Sequence, residues 1–132
     1  MLLNIPPVSL KVKGDWQTRK YPHNFSNVQF HWSLKHRWNK EWKEAVSTEV
    51  MLNRKKLGKL PLQGIPNIKV VFKMTQPFDL DGAYRASKPL VDALKIRDGC
   101  GVIIDDSPKD INLTVETKKV AHKAEEGVYI EL

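Results

Sequence analysis

Two aspartates one residue apart, Asp79 and Asp81, are the first feature of the sequence that suggests chemistry. In an extended segment, side chains at positions i and i+2 point the same way, so both carboxylates would face one point while Leu80 turns to the core. Two like charges held together need a positive partner, and Mg²⁺ suits carboxylate oxygens completed by water and phosphate. The pair therefore predicts a magnesium site, although a solvated turn with Asp81 as its cap would use the same residues.

A second acidic pair, Asp105 and Asp106, follows the apolar run Val102-Ile103-Ile104. We expect residues 102–105 to form a short buried strand that positions the acid at its end. Adjacent residues on a strand face opposite sides, so one of the two aspartates should share a site with Asp79 and Asp81. The alternative is an ordinary turn, because Asp-Ser-Pro is a common way to leave a strand.

Lys88 lies seven residues after Asp81, at the predicted opening of a helix. A lysine there could contact a phosphate and offset the charge that develops in a transition state. Asp92 follows one helical turn later and could orient the Lys88 ammonium. As a surface lysine, however, Lys88 needs no function at all.

A basic region in the first half of the chain is a candidate DNA-contacting surface. Its lysines and arginine could follow a phosphate backbone, and its first two aromatic residues could stack on an unpaired base. The candidate contacts are His31, Trp32, Lys35, Lys40, Lys43, Arg54, Lys55 and Lys56.

The charge is distributed unevenly along the 132 residues. Residues 1–75 contain 14 Lys and Arg against 4 Asp and Glu, whereas residues 76–132 contain 8 against 11. A basic surplus of this size favours a polyanionic partner, with nucleic acid first among them. The single cysteine, Cys100, excludes an internal disulfide framework and any multi-cysteine zinc site. No apolar run is long enough to span a bilayer and no signal-peptide pattern is present, so we expect a cytoplasmic protein without a membrane partner.

The pattern of apolar residues predicts one α+β domain over residues 1–132, with two layers, a mixed sheet of four to five strands and two main helices. A helix over residues 33–53 is expected to begin at Ser33 as N-cap. A second helix is expected over residues 87–97 with Ser87 as N-cap, because Pro89 is tolerated best in a first turn. The expected strands lie at 2–13 with a break at Pro6-Pro7, at 68–74, 102–105, 111–119 and 128–132, and residues 14–30 are expected to form an irregular loop.

Three motifs in order carry a family resemblance: Asp79-Leu80-Asp81, then Lys-Pro-Leu-Val-Asp-Ala-Leu-Lys over residues 88–95, then Gly-Val-Ile-Ile-Asp-Asp over residues 101–106. Together they resemble the RusA family of Holliday-junction resolvases, which are crossover junction endodeoxyribonucleases. Ile5-Pro6-Pro7, and His31-Trp32 before a basic helix, are also similar to its phage-type members. That family shows an Asp-x-Asp-Asn turn, a helix with the pattern Lys-x-x-x-Asp-Ala-Leu and a strand that ends in Asp-Asp.

The resemblance implies a homodimer that binds four-way DNA junctions and cuts two symmetric strands with Mg²⁺, or with Mn²⁺ as the alternative ion, in a bacterial or phage-infected cell. By position, it implies that Asp79, Asp81 and Asp106 are the essential, metal-binding acids and that Lys88 is the essential lysine. Asp105 and Asp92 would then support the site.

The sequence departs from the family pattern at two places that matter. Gly82 stands where the family usually has asparagine, and about three extra residues within 82–87 separate the Asp-x-Asp motif from Lys88. Arg85 lies inside this insertion and could replace Lys88 as the phosphate contact. The alternatives to a nuclease are a non-catalytic protein that binds junctions or single strands on the same fold, and a nucleotide-handling metal enzyme.

Overall fold

The computed structural model describes residues 1–23 and 32–132, which form two sheets and a layer of helices. The elements, in chain order, are β1 (Leu2–Ile5), β2 (Val8–Val12), β3 (Asp15–Arg19), α1 (Trp32–Leu52), α2 (Arg54–Leu57), β4 (Asn67–Met74), α3 (Leu80–Asp92), β5 (Asn112–Lys119), a 3₁₀ turn (Lys123–Glu125) and β6 (Gly127–Glu131).

The larger sheet has four strands in the order β1-β6-β4-β5. β4 and β5 are parallel, while β6 pairs antiparallel with both β4 and β1. The predicted α+β class with a mixed sheet is therefore confirmed. The predicted break at Pro6-Pro7 is also confirmed: it separates β1, which joins this sheet, from β2, which belongs to another. Proline has no N–H to donate to a ladder, so a strand ends there.

The core lies between one face of this sheet and the helices. Ile68, Val70, Phe72 and Met74 alternate along β4 and are all buried, as their spacing predicts. α1 packs against β1 and against α3, and α3 packs against β5. The predicted apolar side of α1 is confirmed as well, since its buried residues are Trp38, Trp42, Val46 and Val50.

The predicted loop over residues 14–30 is wrong for its first part, which forms strand β3. β2 and β3 make an antiparallel hairpin in which Val12 pairs with Asp15. The two turn residues, Lys13 and Gly14, both have positive φ, at 49° and 86°. A two-residue turn with this backbone matches the twist of a hairpin, so Gly14 here connects strands instead of starting a loop. Residues 24–30 of the predicted loop lie outside the described residues.

α1 begins at Trp32, one residue before the predicted cap, so Ser33 lies within the first turn. The predicted second helix differs more. α3 begins at Leu80 instead of residue 87 and ends at Asp92 instead of residue 97. Its N-cap is Asp79, and Ser87 is a buried helical residue whose hydroxyl donates to the Tyr84 carbonyl at 2.7 Å.

Pro89 lies inside α3, although proline removes a hydrogen bond from a helix interior. The helix nevertheless continues through it because its apolar side is completely buried on both sides of the proline: Ala83, Ala86, Leu90 and Val91 are at most 2% exposed. Burial of an amphipathic face therefore outweighs the local preference that the sequence prediction relied on.

The predicted strand over residues 102–105 is not a strand in the structure. The segment forms a single bridge, between Ile103 and Lys95, and folds back against the end of α3. Val102 and Ile103 are buried as expected, but Ile104 is 55% exposed. The turn that connects α3 to this segment requires glycine at position 99, because a Cβ on Gly99 would lie 2.4 Å from the Lys95 carbonyl oxygen. The predicted strands at 111–119 and 128–132 are confirmed as β5 and β6.

Candidate functional site: a lysine–aspartate cluster beside a basic cleft

The two aspartates of the first motif lie at the start of α3. Asp79 is the N-cap, and its Oδ1 accepts the Gly82 N–H at 2.6 Å, while Asp81 lies in the first helical turn. Both side chains belong to exposed residues. The strand-alternation argument for their alignment was wrong, because the segment is helical and Leu80 is 68% exposed instead of facing the core. A helix N-terminus favours negative charge, so both carboxylates also have a structural reason to be there.

Lys88 and Asp106 form the closest ion pair of the site, with Lys88 Nζ 2.6 Å from Asp106 Oδ2. Lys88 also lies 3.2 Å from Asp92 Oδ1, one turn further along α3. The structure thus brings Lys88 and Asp92 together, as their spacing suggests, and it adds Asp106 from the loop that follows α3. The neighbour, Asp105, accepts the Asp106 N–H at 2.8 Å through its own side chain.

Lys95 is a member of this site that the sequence prediction did not assign. Its Nζ lies 2.9 Å from Asp92 Oδ1, 3.5 Å from Asp106 Oδ2 and 3.7 Å from Asp105 Oδ1. The signal was the series Lys88, Asp92 and Lys95 at positions i, i+4 and i+7, which places opposite charges one turn apart on a helix. We call Lys88, Asp92, Lys95, Asp105 and Asp106 the lysine–aspartate cluster.

The ion pairs of the cluster shift the pKa values of its members. The hydrogen bond from Lys88 lowers the pKa of Asp106 to about 2, and the same bond raises the pKa of Lys88. The pKa of Lys95 is raised chiefly by its hydrogen bond to Asp92. Asp106 and both lysines are therefore ionised over the whole physiological range.

The acids only partly fit the predicted magnesium site. Within residues 1–23 and 32–132, no three His, Cys, Asp or Glu side chains are grouped closely enough to hold a metal ion. Asp106 is paired with Lys88 and Lys95. Its closest partner, Lys88, lies two turns, or about 10 Å, along α3 from Asp81. Asp79 and Asp81 do suit Mg²⁺ in ligand type, since this ion often takes one or two carboxylates and completes its shell with water and phosphate. The magnesium site with all three acids remains a prediction.

A cleft of about 530 Å³ lies between α1 and α3, beside the cluster. It is lined by Lys35, Asn39, Tyr84, Arg85, Lys88, Pro89 and Asp92. Three of these seven side chains are cationic and one is anionic. We call this the α1–α3 cleft, and its charge suits a phosphate backbone.

A second cleft of about 330 Å³ continues from the first at Asp92, which lines both. Its other lining residues are Lys43, Lys95, Arg97, Asp98, Ile104 and Asp105. Lys35, Asn39 and Lys43 are spaced by four residues each and so form one row along α1. The row spans about 12 Å and faces the cations of α3 and the following loop. The two clefts share Asp92 and are together lined by six cationic and three anionic side chains, so we call them the basic track.

The other predicted DNA contacts lie elsewhere. Lys40 is exposed on α1 but does not line either cleft. Arg54, Lys55 and Lys56 are exposed on α2, which begins after α1 has ended at Leu52, and they line neither cleft. Trp32 is 73% exposed at the start of α1, and His31 lies outside the described residues.

Comparison of the chain with protein-family models, with curated proteins and with solved structures finds no significant match. Among the helices described, none is long and apolar enough to cross a membrane.

Proposed function

We propose that the chain is a structure-selective endodeoxyribonuclease that resolves four-way DNA junctions with Mg²⁺, as the RusA family does. The observation that supports this most strongly is the position of the basic track directly beside the lysine–aspartate cluster. Lys88 and Asp92 belong to both, so a phosphate held in the α1–α3 cleft lies next to Asp106. The motifs that carry the family resemblance therefore adjoin a surface that suits DNA.

Because α3 is one continuous helix, the three-residue insertion sets where Arg85 and Lys88 lie relative to Asp81. Because residues 82–87 are helical, three extra residues add slightly less than one turn, or about 4.5 Å of rise. Arg85 then lies one turn and Lys88 two turns from Asp81 on the same side of the helix. Both side chains line the α1–α3 cleft. We assign Arg85 to the phosphate nearest Asp81 and Lys88 to the next position along the track.

The roles of the remaining residues follow from their contacts. Asp79 fixes the start of α3 and, with Asp81, presents exposed carboxylates at a helix N-terminus. Asp92 positions Lys88 and Lys95 through ion pairs at 3.2 Å and 2.9 Å. Mg²⁺, when bound, would supply an activated water and stabilise the leaving oxygen. In a homodimer, two equivalent sites would suit the two equivalent strands of a junction.

The test is incubation of the protein with a synthetic four-way junction and Mg²⁺. We expect paired, symmetric nicks, and we expect the variants Asp81→Asn and Asp106→Asn to lose cleavage by at least about 100-fold while junction binding is kept. Glu116→Gln removes a carboxylate from the open face of the sheet, where it pairs with Lys69, and serves as the matched control. Absence of nicks at every Mg²⁺ concentration would contradict a nuclease.

A non-catalytic junction-binding protein is the second candidate, and one observation favours it. Asp106 is already neutralised by Lys88 and Lys95, and the described acids do not converge on one point. Tight junction binding without nicks would support this alternative. Weak binding of every DNA, with no preference for a junction, would contradict both candidates.

A further inference from the structure

The β2–β3 hairpin exposes a tryptophan that the core does not use. Trp16 is 70% exposed on β3, whose first four residues are all exposed. It pairs with Lys11 in the antiparallel register, and the next pair on the same face, Ser9 and Thr18, joins its hydroxyls at 2.8 Å. Residues on one face of a hairpin alternate, so Trp16 and Lys11 share the outer face, opposite the buried Leu10. The Trp16 ring therefore makes little contact with the core and presents an accessible aromatic face beside a lysine.

The hairpin is held firmly against the rest of the molecule. Val8 and Leu10 are buried in the core, and Arg37 of α1 donates to the Lys11 carbonyl at 2.7 Å. At the end of the hairpin, Lys20 pairs with Glu126 at 3.1 Å. Trp16 is therefore presented from a fixed scaffold, which lowers the entropy cost of a contact.

Charge decides which partner the outer face suits. Lys11 pairs with Trp16 across the hairpin, Lys13 lies in its turn, and both are exposed. Asp15 is the one acid between Val8 and Arg19. A second copy of the chain would bring like charges together, whereas a nucleic acid offers both phosphates for the lysines and bases for the ring. Stacking needs an accessible base face, and a base in a continuous duplex does not offer one.

The hairpin and the α1–α3 cleft are both built on α1. α1 contacts α3 on one side and β2 on another, so it separates the α1–α3 cleft from the hairpin. Lys40 lies 140° around α1 from Lys35 and 60° from Arg37, at 100° per residue. It therefore occupies the exposed side of α1 between the cleft and the residue that anchors the hairpin.

We propose that Trp16 stacks on an unpaired or unstacked base at the branch point of a DNA whose backbone lies in the α1–α3 cleft. This inference rests on the proposed function, since it deepens the description of the substrate. Lys11 and Lys13 contact the phosphates that flank this base, and Lys40 contacts the strand that crosses α1.

The test measures DNA binding in EDTA, so that cleavage cannot contribute. The probes are a four-way junction with 2-aminopurine at the branch and a duplex of equal length. We expect Trp16→Ala to bind the junction about 10-fold to 100-fold more weakly, with less than a threefold change for the duplex. Trp16→Phe keeps a ring and should stay within about threefold of the wild type. Gln17→Ala, on the opposite face of the same strand, is the matched control and should bind normally.

The outcomes separate this inference from the proposed function. If the wild type binds the junction and Trp16→Ala binds it equally well, the stacking role is wrong and the proposed function stands. If the wild type has no preference for the junction, both fail. If Trp16→Ala changes the oligomeric state in light scattering, the hairpin is an interface between copies, which also overturns the stacking role.

Discussion

The pairing of Asp106 with two lysines determines how this acid behaves. An aspartate that binds a metal must be ionised and accessible. The ion pair with Lys88 keeps Asp106 ionised but limits the access of a metal to its carboxylate. The Asp106 side chain is 25% exposed. Binding of a phosphate by Lys88 would therefore release Asp106, which links occupation of the cleft to the availability of the acid.

Removal of Lys88 should raise the pKa of Asp106 from about 2 towards its ordinary value, because the hydrogen bond from Lys88 is the main cause of the depression. The depressed pKa stabilises the fold above the unfolded value of about 4, and this contribution is lost as the pH falls through 2. Lys88→Met should therefore be less stable than the wild type at pH 6 but nearly equal to it at pH 2.

Carboxyl ¹³C titration of Asp106 by NMR measures this pKa directly, and thermal melts at the two pH values measure the stability. Lys69→Met removes a partly exposed lysine that pairs with Glu116 on the sheet, so it controls for loss of charge. An unchanged Asp106 titration in Lys88→Met would contradict the pairing.

At the scale of elements, α3 carries most of the candidate site, and its N-cap combines two roles. Asp79→Ala should lower the free energy of unfolding by about 1 kcal/mol, because the Gly82 N–H loses its acceptor. For a domain of this size the melting temperature would fall by roughly 3–5 °C.

Asp79→Ser separates the two roles. Serine caps a helix about as well as aspartate, so the melting temperature should return to the wild-type value. Neither alanine nor serine supplies a carboxylate, so both variants should cleave junctions less than the wild type if Asp79 binds Mg²⁺. Full cleavage by Asp79→Ser would show that Asp79 acts only as a cap.

How much of each element the sequence could predict depended on which physical effect was dominant. β4 and α1 were predicted well because their apolar residues repeat with the period of a strand and of a helix. The start of α3 was missed because the local cost of Pro89 was given more weight than the burial of Ala83 and Ala86. β3 was missed because four of its five residues are exposed, which leaves no apolar alternation to detect.

The candidate site was predictable to a similar degree. Lys88, Asp92 and Asp106 were identified and meet in the structure. Their partner Lys95 was not assigned: its spacing from Asp92 was visible in the sequence, but only the fold brings the loop that carries Asp105 and Asp106 beside it. The alignment of Asp79 with Asp81 was argued from strand geometry and could not survive the finding that α3 begins there.

At the scale of the whole molecule, the basic first half and the more acidic second half of the sequence meet where α1 packs against α3. The basic first half supplies Lys35 and Lys43 on α1, and the more acidic second half supplies the lysine–aspartate cluster on α3 and its following loop. α1 and α3 pack against each other, so the basic surface and the acids face one groove. The positive charge is therefore concentrated at one groove as well as spread over the surface, as the proposed DNA contact requires.

The salt dependence of junction binding tests this arrangement. Each phosphate neutralised by a lysine adds about −0.9 to the slope of log K against log salt concentration. The double variant Lys35→Ala/Lys43→Ala should therefore reduce the steepness of the slope by about 2, as measured by fluorescence anisotropy between about 50 and 200 mM salt. Lys69→Ala/Lys73→Ala lowers the net charge equally but alters the face of the sheet away from the helices, where Lys69 pairs with Glu116 and Lys73 lies over the Tyr129 ring. An equal change of slope in both double variants would mean that DNA responds to net charge alone, and that the track between α1 and α3 does not hold the backbone.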